Sequence, residues 1–232
     1  MRKWSLVIFI MITGIGLGHY YVTAEQSSKK ATSPLTKEEE KKEEVLSSSK
    51  QDESMGLPLL VNEHHKLPCG FKAKDLVYIK PQFVHSCKKN IKLNRLAAIN
   101  FEKMCLAARE QGVYLKAVSG YRTRAEQKSL HRASPRYAAS PQASEHQTGY
   151  AVDVASGEKR LLEVSFKKTR AYQWLKKHAK EFGFIERYPI NRVRVTGKPY
   201  EPWHYTYVGG KELAIKIEQS GTIEEYVALN NA

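Results

Sequence analysis

The chain has 232 residues, with 38 Lys and Arg against 24 Asp and Glu, a formal net charge of +14. That length suits one domain with appendages, and three cysteines with no C-x-x-C argue against a thiolate zinc knuckle. Such a charge raises nucleic acid as a partner, but the export signal below argues against it and favours an anionic wall or membrane surface.

Arg2 and Lys3 precede an apolar run from Leu6 to Leu17, and Val22-Thr23-Ala24 resembles a small-residue cleavage site. From Trp4 to Val22 there are 19 residues without Lys, Arg, Asp or Glu, just enough to span a bilayer. Residues 1–24 therefore read as a signal peptide or an N-terminal membrane anchor. Either way the basic end stays inside and the rest is exported, to the membrane surface or the cell wall. Residues 25–56 are charged, Ser-rich and poor in large apolar groups, which predicts a disordered linker. The leader's +2 and the linker's −2 cancel, so residues 57–232 carry the whole +14 as a single domain. In an oxidising compartment Cys69 and Cys87 are able to pair, while Cys105 falls in a helical apolar pattern and reads as a buried small hydrophobe.

Apolar residues at helical spacing predict a helix over 92–110, ended by Gly112. A strand over 113–118 follows, then Thr123 and Glu126 form a capping-box pattern that opens a second helix. Strands are expected over 149–154 and 203–208, with a third helix over 167–182 between them. A short helix near 212–219 and a second capping box at Thr222 and Glu225 close the chain. Helices and strands mix without regular alternation, so the fold class is α+β, a small mixed antiparallel sheet with flanking helices.

Two stretches stand out, S-E-H-Q-T-G-Y-A-V-D at 144–153 and E-P-W-H at 201–204. Alternation places Gly149, Ala151 and Asp153 on one strand face and Tyr150, Val152 and Val154 on the other, core-facing one. His146 lies just across a Gln-Thr-Gly turn from that strand. If the 149–154 and 203–208 strands pair, His146, Asp153 and His204 converge. Two imidazoles and a carboxylate are a common catalytic zinc set that leaves a fourth position open. Glu201 is the candidate general base, provided the chain bends between it and His204. His64, His65, His85, His131 and His178 read as ordinary surface or loop histidines.

These residues resemble the VanY-type D-alanyl-D-alanine carboxypeptidases, of the group that includes lysostaphin-like peptidases and the hedgehog domain. The match rests on Ser144, His146, Gly149, Ala151 and Asp153 together with Glu201, Trp203 and His204. Weaker agreements lie at Leu60, Asp75, Ser119, Arg187 and from Thr196 onward. The resemblance implies a Zn2+ enzyme with His146, Asp153 and His204 as ligands and Glu201 as base. It also implies that Arg122 binds substrate near the scissile carbonyl, and that Ser144 and Gln127 serve the substrate's terminal carboxylate. The expected substrate is a peptidoglycan stem peptide losing its terminal D-Ala, and the expected state is a monomer. Alternatives are an L,D-carboxypeptidase, an L-Ala–D-Glu endopeptidase and a non-catalytic wall-binding module.

Overall fold

The structure is a computed structural model that describes residues 60–88, 90–157 and 162–230. The expected leader and linker lie outside these residues. Among the described ones, no helix is long and apolar enough to cross a membrane.

Strands β1 (Leu76–Tyr78) and β2 (Lys92–Asn94) form a small antiparallel sheet, with Val77 opposite Leu93. Helix α1 (Arg95–Glu110) follows at once because Asn94 is extended and its Oδ1 accepts from the Leu96 N–H at 3.0 Å, an N-cap. The helix thus starts three residues later than the periodicity predicts, since Lys92–Asn94 pair with β1 instead. Its buried face is Ala97, Ala98, Phe101, Met104, Cys105 and Ala108. Cys105 is buried as expected. Cys69 and Cys87 are exposed and free, so they do not pair.

After β3 (Leu115–Ser119), helix α2 (Arg124–Ala133) opens with the expected capping box. Thr123 Oγ1 accepts from the Glu126 N–H at 3.2 Å, and Glu126 Oε2 accepts from the Thr123 N–H at 2.7 Å. Strand β4 (Ala151–Ser156) comes next. The single helix expected over 167–182 is divided, because Thr169 takes an extended cap conformation and accepts from the Tyr172 N–H at 3.1 Å. A 3-10 turn (Val164–Lys168) precedes it, α3 (Arg170–His178) follows, and a second 3-10 turn (Ala179–Phe182) ends at Gly183. Then come β5 (Phe184–Glu186), the short α4 (Val193–Thr196), β6 (His204–Tyr207), α5 (Lys211–Ser220) and α6 (Ile223–Asn230).

The second sheet is antiparallel throughout, in the order β3-β4-β6-β5, and the fold is α+β. One face of it, including Leu115, Ala117, Val152, Val154, Tyr205 and Tyr207, belongs to the core with Phe101 and Met104 of α1 and Trp174 and Leu175 of α3. Burying each large side chain there contributes about 1.5–3 kcal/mol. Because strand side chains alternate, the opposite face carries Asp153, His204 and Thr206. A smaller cluster of Ile185, Val208, Ala214, Ile217 and Ile223, joined by Leu60 and Val227, holds α5 and α6 against the β5 side.

Candidate active site

Strands β4 and β6 pair with Asp153 directly opposite His204, which sets both on one face of the sheet. On the other side of β4 the register to β3 shifts between Ala117 and Ser119, so Ser119 faces Asp153 across a bulge. Such irregularities re-aim the chain beside sites, and here the chain leaves β3 toward Gly120 and Arg122.

His146 sits on a 3-10 turn (Glu145–Gln147) that returns to β4 through Gly149, at φ +85°. A Cβ on Gly149 would stand 2.8 Å from Leu76 Cδ2 and 3.0 Å from the Asn94 nitrogen, so the turn needs glycine for both conformation and space. Gly120 approaches β2 so closely that a Cβ would meet the Lys92 carbonyl at 2.5 Å. Its own carbonyl lies 2.7 Å from His146 Nδ1. A carbonyl only accepts, so Nδ1 carries the proton and Nε2 turns its lone pair inward. That Nε2 is 3.4 Å from Asp153 Oδ1, and His204 Nδ1 is 3.5 Å from the same oxygen.

The bend required at Glu201 is present. The His204 N–H donates to the Glu201 carbonyl at 3.1 Å, and Glu201 Oε2 lies 3.5 Å from His204 Nδ1. The two imidazoles are electrostatically unlike. Burial, reinforced by the charge of Arg122, lowers His146 to about 4. Burial also disfavours charge on His204, but Glu145, Glu201 and Asp153 surround it and push it up to about 9. Against the upward push of burial, His146, His204 and Arg122 hold the Asp153 carboxyl well below the usual range.

His146, Asp153 and His204 are all buried, and their ligand atoms lie within 4.8 Å of one another. His146 Nε2 and Asp153 Oδ1 have no hydrogen-bond partner among the described residues. Buried polar atoms are rarely left so. A divalent cation with nitrogen and oxygen ligands fits this set, and binding would displace the proton held on His204.

The cluster lies in a cleft of about 460 Å³ that Arg122, Gln127, Ser144 and Glu201 also line, with Tyr137, Tyr188 and Trp203 among its walls. The Arg122 N–H donates to the His146 carbonyl at 3.0 Å, joining the two loops, and Arg122 Nη2 is 3.9 Å from Asp153 Oδ2. Ser144 is buried at the cleft wall. Gln127 is 1% exposed, and its Nε2 donates to the Ala139 carbonyl at 2.7 Å while Oε1 has no hydrogen-bond partner among the described residues. The five histidines read as ordinary stay out of this group; His131, for example, is 2.8 Å from the Ala138 carbonyl.

Behind and beside the cleft lie residues to which the sequence assigned no role, Arg187 having entered only as a flanking agreement. Glu145 Oε2 accepts from Thr206 Oγ1 at 2.5 Å and lies 3.6 Å from His204 Nε2, beyond hydrogen-bond distance. Arg187 Nε donates to Glu145 Oε1 at 2.6 Å, and this cation brings the Glu145 carboxyl down to about 2 in spite of burial. The Tyr188 ring packs edge-on to His204 at 4.9 Å. Glu145 stands next to His146 in sequence, which is the one signal available for it.

A family model described as VanY, D-alanyl-D-alanine carboxypeptidase, matches residues 90–210. The Bacillus subtilis (strain 168) protein YodJ is 36% identical over 180 residues, 72% of this chain and 65% of its own length. A structure of the LdcB LD-carboxypeptidase superposes with a TM-score of 0.66 at 37% identity, covering 73% of this chain and 84% of that one. A variant of the vancomycin-resistance D,D-pentapeptidase VanY, in complex with Zn(II), gives 0.60 at 29% identity over 72% of this chain and 97% of that one. The chain spans about half the length of D-alanyl-D-alanine carboxypeptidases from Enterococcus faecalis (50%) and Enterococcus faecium (45%) that it also matches.

Proposed function

Because the chain belongs to the VanY family of D-alanyl-D-alanine carboxypeptidases, we propose that it removes the terminal D-alanine from peptidoglycan stem peptides in a zinc-dependent hydrolysis. The observation that carries this reading is the buried convergence of His146, Asp153 and His204 with Glu201 beside them in an open cleft. Those three residues would hold the ion, as the Zn(II) complex of the VanY relative supports. When bound, zinc supplies Lewis acidity toward water and the scissile carbonyl.

The remaining work belongs to the chain's own side chains. Glu201, at the cleft and outside the ligand trio, accepts the proton from the attacking water and returns it to the departing amine. Arg122 Nε has no hydrogen-bond partner among the described residues, and its guanidinium beside Asp153 is a fixed donor for charge developing on the carbonyl oxygen. The Ser144 hydroxyl is the neutral donor for the terminal carboxylate. Gln127, which gives one of its two amide N–H groups to the Ala139 carbonyl, has the other for the same carboxylate. The +14 charge supports work at an anionic wall or membrane surface outside the cell, consistent with the basic and apolar leader.

A second reading, an L,D-carboxypeptidase acting on tetrapeptide stems, is supported by the higher similarity to LdcB. Defined penta- and tetrapeptide stems decide between them. Release of D-alanine from the pentapeptide with the tetrapeptide left intact is the expected result. Cleavage of the tetrapeptide alone would establish the second reading, and no release from either would refute both and leave a wall-binding module.

A further inference from the structure

The geometry points to Arg187 as a strut that positions the ligand His204 from the C-terminal helix α6, acting through Glu145. This rests on the zinc reading above. Arg187 is fully buried, with 0% of its side chain exposed. Two carboxylates answer its charge. Nε donates to Glu145, while Nη1 and Nη2 fork onto Glu224 of α6 at 2.9 and 2.6 Å. The Glu145 oxygen not facing Arg187 Nε accepts from Thr206 and faces His204 Nε2. A series of hydrogen bonds therefore runs from α6 to Glu145, whose Oε2 faces His204 Nε2 at 3.6 Å, an ion-pair approach rather than a hydrogen bond. Among the described residues that nitrogen has no hydrogen-bond partner.

A metal-binding histidine needs a partner at its other nitrogen, which sets the tautomer, the ring orientation and the basicity. Glu145 stands at that nitrogen. A carboxylate 2% exposed is costly unless a cation compensates it, and Arg187 does so. Arg187 held by Glu145 alone would bury two Nη groups without acceptors, an expensive arrangement that Glu224 resolves. The fork also fixes the plane of the guanidinium, and through it the position of Glu145.

Two members of this assembly lie outside the span matched by the family model. Glu224 follows residue 210, and Asn62, whose Nδ2 donates to Glu224 Oε1 at 3.1 Å, precedes residue 90. The chain thus closes segments from both sides of the matched span onto the support of one ligand.

The test is zinc affinity of the full chain by competition with a fluorescent chelator, with the melting temperature of the metal-free protein measured alongside. Glu145→Gln is expected to weaken zinc binding by about 10- to 100-fold, and Glu224→Gln by about tenfold, the usual cost of losing an outer-shell partner. Val227→Ala loosens the packing of α6 in the smaller cluster without touching the network, and should bind zinc as the wild type does. Wild-type affinity in Glu224→Gln overturns the strut. So does equal weakening of Glu224→Gln and Val227→Ala at equal loss of melting temperature, because α6 would then act through stability alone. Failure of the wild type to take zinc would instead refute the zinc reading itself.

Discussion

Replacing Arg122 by Ala separates metal binding from chemistry. The guanidinium stands 3.9 Å from Asp153 with its side chain 19% exposed. At an effective dielectric of 20, unit charges at that distance attract by about 4 kcal/mol before desolvation is counted. Arg122 therefore competes with an incoming cation for the Asp153 carboxylate and repels that cation as well. Its removal is expected to leave zinc affinity unchanged or raise it. Hydrolysis should respond in the opposite direction, since a fixed donor at a developing oxyanion contributes about 3 kcal/mol, or roughly 150-fold in kcat/KM. The assay is release of D-alanine from a peptide ending in D-Ala-D-Ala, paired with chelator competition on the same preparation. A variant within a few-fold of wild-type kcat/KM, or one that loses its metal, would refute the reasoning.

Glu201→Gln should keep zinc and fold while losing at least about a hundredfold in activity; undiminished release would remove Glu201 from the role of base. Gly149→Ala must hold a left-handed conformation and push against Leu76 and the Asn94 backbone, so it should cost more than the roughly 1 kcal/mol of the conformation alone; an unchanged melting temperature contradicts this. Thr123→Ala should cost about 1 kcal/mol at neutral pH. The Thr123 N–H and hydroxyl hold the Glu126 carboxyl below its ordinary 4.5, so that contribution is present above pH 4.5 and fades as the pH falls below it. Only the bond from the Thr123 hydroxyl to that carboxyl is both lost in the variant and pH-sensitive, whereas the cap that Oγ1 accepts from the Glu126 N–H is not. Melting curves from pH 7 to 3 should therefore narrow the gap between wild type and variant without closing it, and a constant gap would be the adverse result. The leader predicts that protease added outside intact cells reaches the domain, and a purely cytosolic protein on fractionation would contradict export.

Much of the site was legible because its parts are local. Alternation over Tyr150–Val154 fixes which residues face the core, and the glycine turn after His146 suggests a return toward Asp153. Register is not local: only the folded sheet sets Asp153 opposite His204. The supporting charges were hidden for a different reason. A Glu or Arg in a polar stretch ordinarily faces water, and Arg187 meets Glu145 and Glu224 at sequence separations of 42 and 37. Helix ends misled where one side chain decides. Asn94 and Thr169 both fall inside apolar patterns of helical period, and both cap instead of continuing the helix. Gln127 shows the limit at atomic scale, since its position on α2 was readable from the sequence but its amide orientation depends on the Ala139 carbonyl.

The strand order β3-β4-β6-β5 places the last strand to be synthesised between two earlier ones. Until residues 204–207 arrive, β4 and β5 have no strand between them, and each presents an open edge. The same late strand brings His204. A chain cut short before that point, by stalled synthesis or a protease, keeps His146 and Asp153 but lacks the third member of the proposed metal site, and its sheet is divided at the centre. Unpaired edges of that kind invite aggregation and clearance. On the proposed reading, hydrolytic capacity would thus be acquired only as the sheet is completed, and an unfinished molecule would be expected to be both unstable and inactive.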